Sequence, residues 1–331
     1  MNREEHGRVN TGIVLFIGLT FLGSWCMAAV LRLSGATVAP EPLGTRLFTT
    51  SLLYALTMGW QPIVVTWFVR RWVDPPDHLD LGLRSAGRGF GLGGVAGAIA
   101  VVVAATGGAA LLARWGVAGV STSMNGTAEL ELSSVTPSGS GALALLAAFG
   151  ATVLLVWLQC FAEEVGWRGY FLPRLMERFG PWRGLFLHGA VWGLWYAPLL
   201  FLAVYGQRAP LGAVGRSLAF VVTCVLLGML FGWLRLASKS LVPVMLANMT
   251  LTLAAGLPYV LHGVDAGQRS AVFFPAGWLV LLPVLAGLLT SRWRRAIQTP
   301  ERRREASTSP PMLAQVRVVL EGRSPRKEPL H

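Results

Sequence analysis

Charged residues and cysteines are scarce in this 331-residue sequence. Asp, Glu, Lys and Arg make up 13% of the residues, whereas soluble globular domains carry about a quarter. The three cysteines, Cys26, Cys160 and Cys224, each lie in an apolar run, and none belongs to a Cys-x-x-Cys pair. These absences exclude a disulfide framework and a zinc site built from thiolates, and they argue against an ordinary soluble enzyme.

The sequence contains several long apolar runs. Hydrophobic residues make up 53% of the sequence, and the mean hydropathy is +0.55. Since a spanning helix needs about 20 mostly apolar residues, the runs predict an all-α, polytopic membrane bundle of about eight helices. The predicted spans are residues 11–31, 48–69, 89–113, 141–162, 184–205, 215–234, 241–261 and 272–291. The glycine-rich stretch 89–108 is predicted to be a closely packed helix, because lipid offers no water to exposed backbone groups.

Lys and Arg residues are distributed unevenly between the two sides that eight spans would create. One side, which includes both termini, carries 22 of the 28 basic residues. Cytoplasmic segments carry such an excess, so both termini are predicted to be cytoplasmic. The first apolar run is longer than the core of a signal peptide and is interpreted as a retained anchor. We expect an integral, multi-pass protein of the plasma membrane of a bacterium.

The end of the chain differs in composition from the rest. Residues 292–331 contain ten basic and four acidic residues together with many Ser and Pro residues. Such a segment cannot bury a core and is predicted to be a disordered cytoplasmic tail, separate from a transmembrane domain at residues 1–291. We expect membrane lipids as partners, with the tail contacting anionic lipids. A specific partner of the tail is the alternative, and nucleic acid is not expected.

Two adjacent carboxylates, Glu163 and Glu164, lie within apolar sequence. An ionised carboxylate at mid-bilayer costs on the order of 3 kcal/mol, so a compensating partner is expected. Arg168 follows Glu164 by four residues, the spacing of an ion pair on one helical face. Glu163 points about 100 degrees away and lacks that partner, which makes it a candidate general base or acid near neutral pH. The alternative is that the helix ends here and both carboxylates lie at the inner interface.

The segment Glu-Glu-Val-Gly-Trp-Arg-Gly at residues 163–169 closely resembles the first motif, E-E-x-x-x-R followed by Gly, of the CPBP family. This family comprises membrane proteases that include type II CAAX prenyl endopeptidases and bacteriocin-processing or self-immunity proteins. The resemblance extends from Asp80-Leu81-Gly82-Leu83-Arg84 to about Thr252 and implies a family core at about residues 80–260. It also implies a helical bundle around a conical cavity, in which Glu163 activates water.

The second and third family motifs are altered in this sequence. At F-x-x-x-H the chain has Trp192 and Tyr196, and at H-x-x-x-N/D it has Asn248 and Thr252. Both motif histidines are therefore replaced. Tyr196 and Asn248 can donate hydrogen bonds to an oxyanion, which permits a metal-free mechanism. The alternative is that these polar residues form ordinary interhelical hydrogen bonds, each worth about 0.6 kcal/mol.

Histidine does not supply an evident metal ligand here. His188 precedes Tyr196 by eight residues, about 12 Å along a helix, and is predicted to be a core histidine. A phenol loses its proton only near pH 10, and an amide carries no charge, so Tyr196 and Asn248 are poor replacements for histidine as zinc ligands. No metal and no cofactor are expected.

The resemblance implies that the candidate catalytic side chains, with Glu164 and Arg168 as a positioning pair, converge around one polar cavity that opens toward the inner leaflet. The members of this set are Glu163, Glu164, Arg168, Tyr196, Asn248 and Thr252. The first functional hypothesis is an intramembrane endopeptidase that cleaves a membrane-associated substrate, prenylated or peptide, with Glu163 activating water. The second is an inactive homologue that binds a peptide or lipidated partner in the same cavity. A transporter is the third.

Overall fold

The computed structural model describes residues 3–33, 58–75, 80–86, 88–114, 139–199, 210–262 and 275–288. Within these segments the regular structure is helical. The elements in chain order are α1 (Arg3–Leu33), α2 (Gln61–Trp72), α3 (Arg88–Arg114), α4 (Gly139–Glu164), a π-helix (Val165–Phe171), α5 (Leu172–Phe179), α6 (Pro181–Leu199), α7 (Pro210–Ser238), α8 (Val242–His262) and α9 (Pro275–Leu288).

The predicted all-α membrane bundle is confirmed as the fold class. Three helical stretches of the described chain are long and apolar enough to cross a membrane, namely Gly7–Val30, Phe149–Phe179 and Ser217–Ser238. Shorter apolar helices lie at Arg88–Ala104, Val242–Ala254 and Gly277–Gly287. The number of spans and the cytoplasmic placement of both termini stay predictions. Residues 48–57 of the second predicted span and the tail at 292–331 lie outside the described residues.

The helix that carries the two carboxylates does not end at residue 162, as the predicted span did. It continues without a break from α4 through the π-helix into α5. All seven residues of the π-helix are buried, so this part of the chain stays inside the bundle where the prediction placed a boundary. A π-helix pairs each N–H with the carbonyl five residues earlier and is often found at functional sites. The continuation is possible because the charge of Glu164 is neutralised within the bundle, as described below.

Helices α6 and α7 pack closely because glycines remove side chains from their crossing point. A Cβ atom at Gly189 would lie 2.6 Å from Val225 Cα, and one at Gly193 would lie 2.8 Å from Val221 Cα. From the other helix, a Cβ at Gly228 would lie 2.8 Å from Gly189 Cα. These backbone atoms cannot move aside independently of the helices. The crossing of α6 and α7 therefore requires glycine at these positions.

The glycine-rich stretch 89–108 forms a helix, as predicted, but most of its described glycines are not at a close contact. Gly94 lies against α8, where an added Cβ would be 2.8 Å from the Pro243 carbonyl oxygen. Gly89, Gly93 and Gly97 have no neighbouring atom within 4 Å of the added Cβ position. The expectation of close packing therefore holds at Gly94 and is wrong for these three glycines, which lie on the outer face of the helix.

A buried acidic residue joins α2 to the end of the long helix. Asp74 accepts hydrogen bonds from Arg174 Nε at 2.6 Å and from Arg174 Nη2 at 2.8 Å. Tyr170 at the end of the π-helix donates to the same carboxylate at 3.0 Å. Because Tyr170 and Arg174 flank the start of α5, this cluster holds the C-terminal end of the π-helix against the segment after α2.

The segment 80–86 lies across the corner between α7 and α8. The Leu241 N–H donates to the Gly82 carbonyl at 2.8 Å, and Arg235 Nη2 donates to the Asp80 carbonyl at 3.0 Å. Gly82 has a φ of 74° and packs directly on the Arg235 guanidinium, a conformation and a contact that favour glycine. This segment places Leu83 beside the start of α8.

We predict that Gly189→Ala destabilises the protein, because the new methyl group meets backbone atoms of α7. Overpacking of this kind costs about 1–3 kcal/mol, which should lower the melting temperature in detergent. Gly97→Ala is the matched control, since its methyl group enters open space and gains up to about 1 kcal/mol of helix propensity. Equal melting temperatures for the two variants would show that the helix crossing tolerates a side chain.

Candidate active site

The carboxylates of Glu163 and Glu164 are both inside the bundle. Their residues are 2% and 0% exposed, respectively, and they form the last turn of α4 just before the π-helix. The helix therefore does not end at these carboxylates, as the alternative required, whereas their depth in the membrane stays a prediction. Two adjacent buried carboxylates need compensating groups, and the structure supplies different groups for each.

Glu164 is held by a charged partner and an amide. Arg168 Nη1 donates to Glu164 Oε1 at 2.9 Å, which confirms the ion pair predicted from the spacing. Asn248 Nδ2 of α8 donates to the same oxygen at 2.9 Å. The second oxygen, Oε2, has no hydrogen-bond donor among the described residues. Oxygen Oε1 of Glu164 is thus held by two donors, and its hydrogen bond with Asn248 connects α4 to α8.

Arg168 is completely buried, and aromatic rings cover its guanidinium. The guanidinium carbon lies 4.1 Å from the centre of the Trp192 ring and 5.4 Å from that of Phe231. These are cation–π distances. Trp192, which stands where the family motif has Phe, therefore helps to hold the cation that neutralises Glu164.

Glu163 has neutral hydrogen-bond partners instead. Gln159 Nε2, one turn earlier on α4, donates to Glu163 Oε1 at 3.0 Å. The Tyr196 hydroxyl of α6 lies 3.1 Å from both carboxylate oxygens. A hydroxyl carries one proton, so it donates to one oxygen at a time or shares the proton between them. Within the described part of the chain, Glu163 is therefore oriented without a salt bridge to a cation, as the sequence predicted.

Thr252 does not join this hydrogen-bonded cluster. Its side chain is exposed and hydrogen-bonds to Cys160, one turn before Glu164 on α4. Helices α4 and α8 run in opposite directions at this crossing, so Asn248 meets Glu164 and Thr252 meets the preceding turn. The expectation that all six side chains converge is correct for five of them and wrong for Thr252, whose catalytic role stays a prediction.

A cavity of about 170 Å³ reaches the cluster from the outside of α4. Its lining residues are Leu83, Trp157, Phe161, Glu164, Leu241, Val242 and Met245. The lining of this cavity is apolar except for Glu164, so this cavity is not surrounded by the whole set, and a polar cavity around all six side chains stays a prediction. Inside the bundle Arg168 and Asn248 donate to Glu164, and Tyr196 donates to Glu163. The side chains that line the cavity are therefore mainly apolar. Its opening toward the inner leaflet stays a prediction.

The donor set does not fit a catalytic zinc ion. His188 is fully buried beside Trp167 and Phe171, with ring centroids 6.2 Å apart in each case, so it is a core histidine. No group of three His, Cys, Asp or Glu side chains with a metal-binding arrangement occurs in the part of the chain that the structure describes. Catalytic zinc needs three protein ligands, whereas this site offers two carboxylates, one of which is already paired with Arg168.

Sequence reasoning missed Gln159. The signal was present, because Gln159 precedes Glu163 by four residues and such pairs lie on one helical face. Gln159 was overlooked for two reasons. Neutral polar residues in apolar runs commonly form structural hydrogen bonds, and the family motif does not include position 159.

Comparison with known proteins agrees with this site. Residues 145–254 match the model of the family described as "Type II CAAX prenyl endopeptidase Rce1-like". The chain is also 24% identical over 144 residues to CAAX prenyl protease 2 of Methanococcus maripaludis, an alignment that covers 43% of this chain and 53% of that relative. The matched part of the chain thus spans about half the length of the curated relative. The resemblance inferred from the motifs is confirmed for a region that contains most of α4, the π-helix, α6 and most of α8.

The family match and the apolar helices together indicate an integral membrane protein.

We predict that Arg168→Ala strands the buried Glu164 carboxylate. Removing one partner of a buried ion pair costs about 3–5 kcal/mol, so the folded yield and the melting temperature in detergent should fall. The control is Arg71→Ala, which removes an exposed cation beside Trp72 and should cost about 1 kcal/mol or less. If the two variants melted alike, the ion pair would not be a major source of stability.

Proposed function

We propose that this chain is an intramembrane endopeptidase that hydrolyses a peptide bond of a membrane-associated substrate, with Glu163 as the general base. The observation that carries the proposal is the environment of Glu163. It is a buried carboxylate in an Rce1-like region, and it is oriented by the neutral donors Gln159 and Tyr196 rather than by a cation.

The two carboxylates have different roles in this proposal. A carboxylate that is paired with an arginine is stabilised in its charged form and is a weaker base. Glu164 is paired in this way with Arg168, so we assign it to the structure of the site. Among the described residues no cation is hydrogen-bonded to Glu163, and we propose that it takes up and releases the proton.

The proposed reaction is a direct attack of water on the peptide carbonyl. Glu163 accepts one proton from water as the water oxygen bonds to the carbonyl carbon. The carbonyl oxygen becomes negatively charged, and Tyr196 or the amide of Asn248 can donate a hydrogen bond to it. Glu163 then gives its proton to the leaving nitrogen as the C–N bond breaks. The products are a carboxylic acid and an amine, and no metal is needed in these steps.

The apolar cavity supports a substrate with an apolar portion. Its rim includes Leu83, Trp157 and Val242, which are partly exposed at the outer surface of the bundle. An aliphatic side chain or a lipid group can therefore enter from the bilayer with its apolar surface covered. At its inner end the cavity reaches Glu164, and we propose that a bound segment extends from there to Glu163, which precedes Glu164 on α4 and faces another side of the helix. A prenylated protein or an unmodified peptide is compatible with this cavity.

A second candidate function is binding without hydrolysis. In the two altered motifs, Tyr196 and Asn248 take the positions of the family histidines, and both already donate to the carboxylates. If these contacts persist when a peptide is bound, the site holds a peptide or lipidated partner without cleaving it.

We also propose that membrane lipids are partners and that both termini face the cytoplasm of a bacterium. Arg71 lies 6.0 Å from the Trp72 ring centre, and Arg178 lies 5.4 Å from that of Phe179. Arg and aromatic residues are enriched where a protein crosses the headgroup region. Both pairs flank the cluster of Asp74 and Arg174, so they belong to one end of the bundle. Anionic lipids are the expected ligands there and at the basic tail.

We predict that Glu163→Gln abolishes cleavage while the protein stays folded. Purified protein in liposomes would be incubated with a fluorogenic peptide that ends in a farnesylated CAAX sequence, and with the same peptide without the lipid. Loss of a general base lowers the rate by about a hundredfold or more. The matched control is Glu177→Gln, since Glu177 is 40% exposed in its side chain and pairs with Arg174. Cleavage by Glu163→Gln at the wild-type rate would refute its role as base, and absence of cleavage by wild type would favour the binding function.

We predict that hydrolysis resists chelators, because the available ligands do not form a zinc site. Elemental analysis of the purified protein should give no stoichiometric zinc, and activity should survive treatment with EDTA and 1,10-phenanthroline. About one zinc per chain, lost together with activity in Glu163→Gln, would contradict this prediction.

A further inference from the structure

We propose that Gln159 is a positioning residue that holds the Glu163 side chain in place while the carboxylate gains and loses a proton. This inference rests on the proposed function, in which Glu163 is the base. Gln159 does not belong to the motifs that identified the site, and its role is inferred from its contacts alone.

The contact leaves one oxygen of Glu163 better able to accept a proton. Gln159 Nε2 lies 3.0 Å from Glu163 Oε1, and Tyr196 reaches both oxygens at 3.1 Å. Oε1 is therefore approached by two donors and Oε2 by one. A carboxylate oxygen has two lone pairs, so Oε2 keeps more capacity to take a proton from water. We assign Oε2 as the atom that receives it.

An amide can serve both forms of the carboxyl group. Its NH2 group donates to Oε1 when Glu163 is charged, and it can continue to donate when the proton is on Oε2, because Oε1 remains an acceptor in both forms. An arginine at position 159 would stabilise the charged form of Glu163, and an ionised glutamate could not donate a hydrogen bond. Glutamine therefore suits a partner whose charge changes during each cycle.

The backbone of a neighbouring segment holds the Gln159 side chain in this place. Gly59, just before α2, faces it so closely that an added Cβ would lie 2.5 Å from Gln159 Cγ and 3.3 Å from its Cδ. The stem of the glutamine thus packs against a position that has no side chain. Because this backing constrains the stem, the amide remains directed at Glu163. Gly59 and Gln159 together support the Oε1 side of the Glu163 carboxylate.

The first test compares three variants in the cleavage assay. Gln159→Met keeps the length of the side chain but removes the amide, and Gly59→Ala pushes the stem without removing the amide. Gln61→Met is the matched control, because Gln61 contacts Trp195 Nε1 at 3.4 Å and not Glu163. Misplacing a catalytic group by about 1 Å can cost about a hundredfold in rate. We therefore expect kcat to fall about ten- to a hundredfold in the first two variants with KM changed less than about twofold, and kcat to be unchanged in Gln61→Met.

The second test does not depend on activity. Dicyclohexylcarbodiimide enters membranes and modifies buried carboxyl groups in their protonated form, and mass spectrometry locates the product. At one fixed pH, Gln159→Met should label Glu163 faster than wild type, because a donor to the charged form is lost. Gln61→Met should label at the wild-type rate. The other charged groups of the cluster, Glu164 and Arg168, are the same in all three proteins.

These results distinguish failure of this inference from failure of the proposed function. A fall in kcat at constant KM together with faster labelling supports the role of Gln159. Unchanged kcat or unchanged labelling in Gln159→Met overturns it, as does a loss of kcat that is matched by an equal loss in Gln61→Met. A wild-type protein that does not cleave contradicts the proposed function, and the labelling rates then decide the role of Gln159 alone.

Discussion

The buried ion pair between Glu164 and Arg168 is the interaction on which the rest of this site depends. An unpaired carboxylate or guanidinium at this depth would cost several kcal/mol. The pair lets the long helix continue through the buried π-helix instead of ending near Glu164. Asn248 binds the same carboxylate, so the pair also fixes where α8 meets α4. The aromatic ring of Trp192 covers the cation and connects it to α6.

Neutralising Glu164 in this way leaves its neighbour available for chemistry. Glu163 belongs to the same helix, but its side chain points toward the neutral side chains of Gln159 and Tyr196. The two carboxylates are adjacent in sequence, yet one is paired with a cation and the other accepts hydrogen bonds from neutral side chains. Such unequal environments are how proteins assign different roles to similar groups. In the region that matches the family model, both motif glutamates are present, although both motif histidines are replaced.

Features that depend on a single helix could be predicted from the sequence. The apolar runs predicted the all-α membrane bundle, and the four-residue spacing predicted the pair of Glu164 and Arg168. Features that depend on where helices cross could not be predicted. Thr252 lies beside Cys160, one turn before Glu164, because α4 and α8 run antiparallel. The position of the apolar cavity also depends on this crossing. The sequence of one helix does not show where it will diverge from its neighbour and leave a space.

The central claim is that Glu164 serves the structure and Glu163 serves the chemistry. Thermal unfolding of Glu164→Gln and Glu163→Gln in the same detergent tests it most directly. Glu164→Gln leaves the buried Arg168 without a counter-charge, so we expect a loss of about 3–5 kcal/mol and a clearly lower melting temperature. Glu163→Gln keeps polar atoms that can bond to Tyr196 and Gln159, so its stability should stay within about 1 kcal/mol of wild type. Equal losses, or a larger loss in Glu163→Gln, would contradict this division of roles.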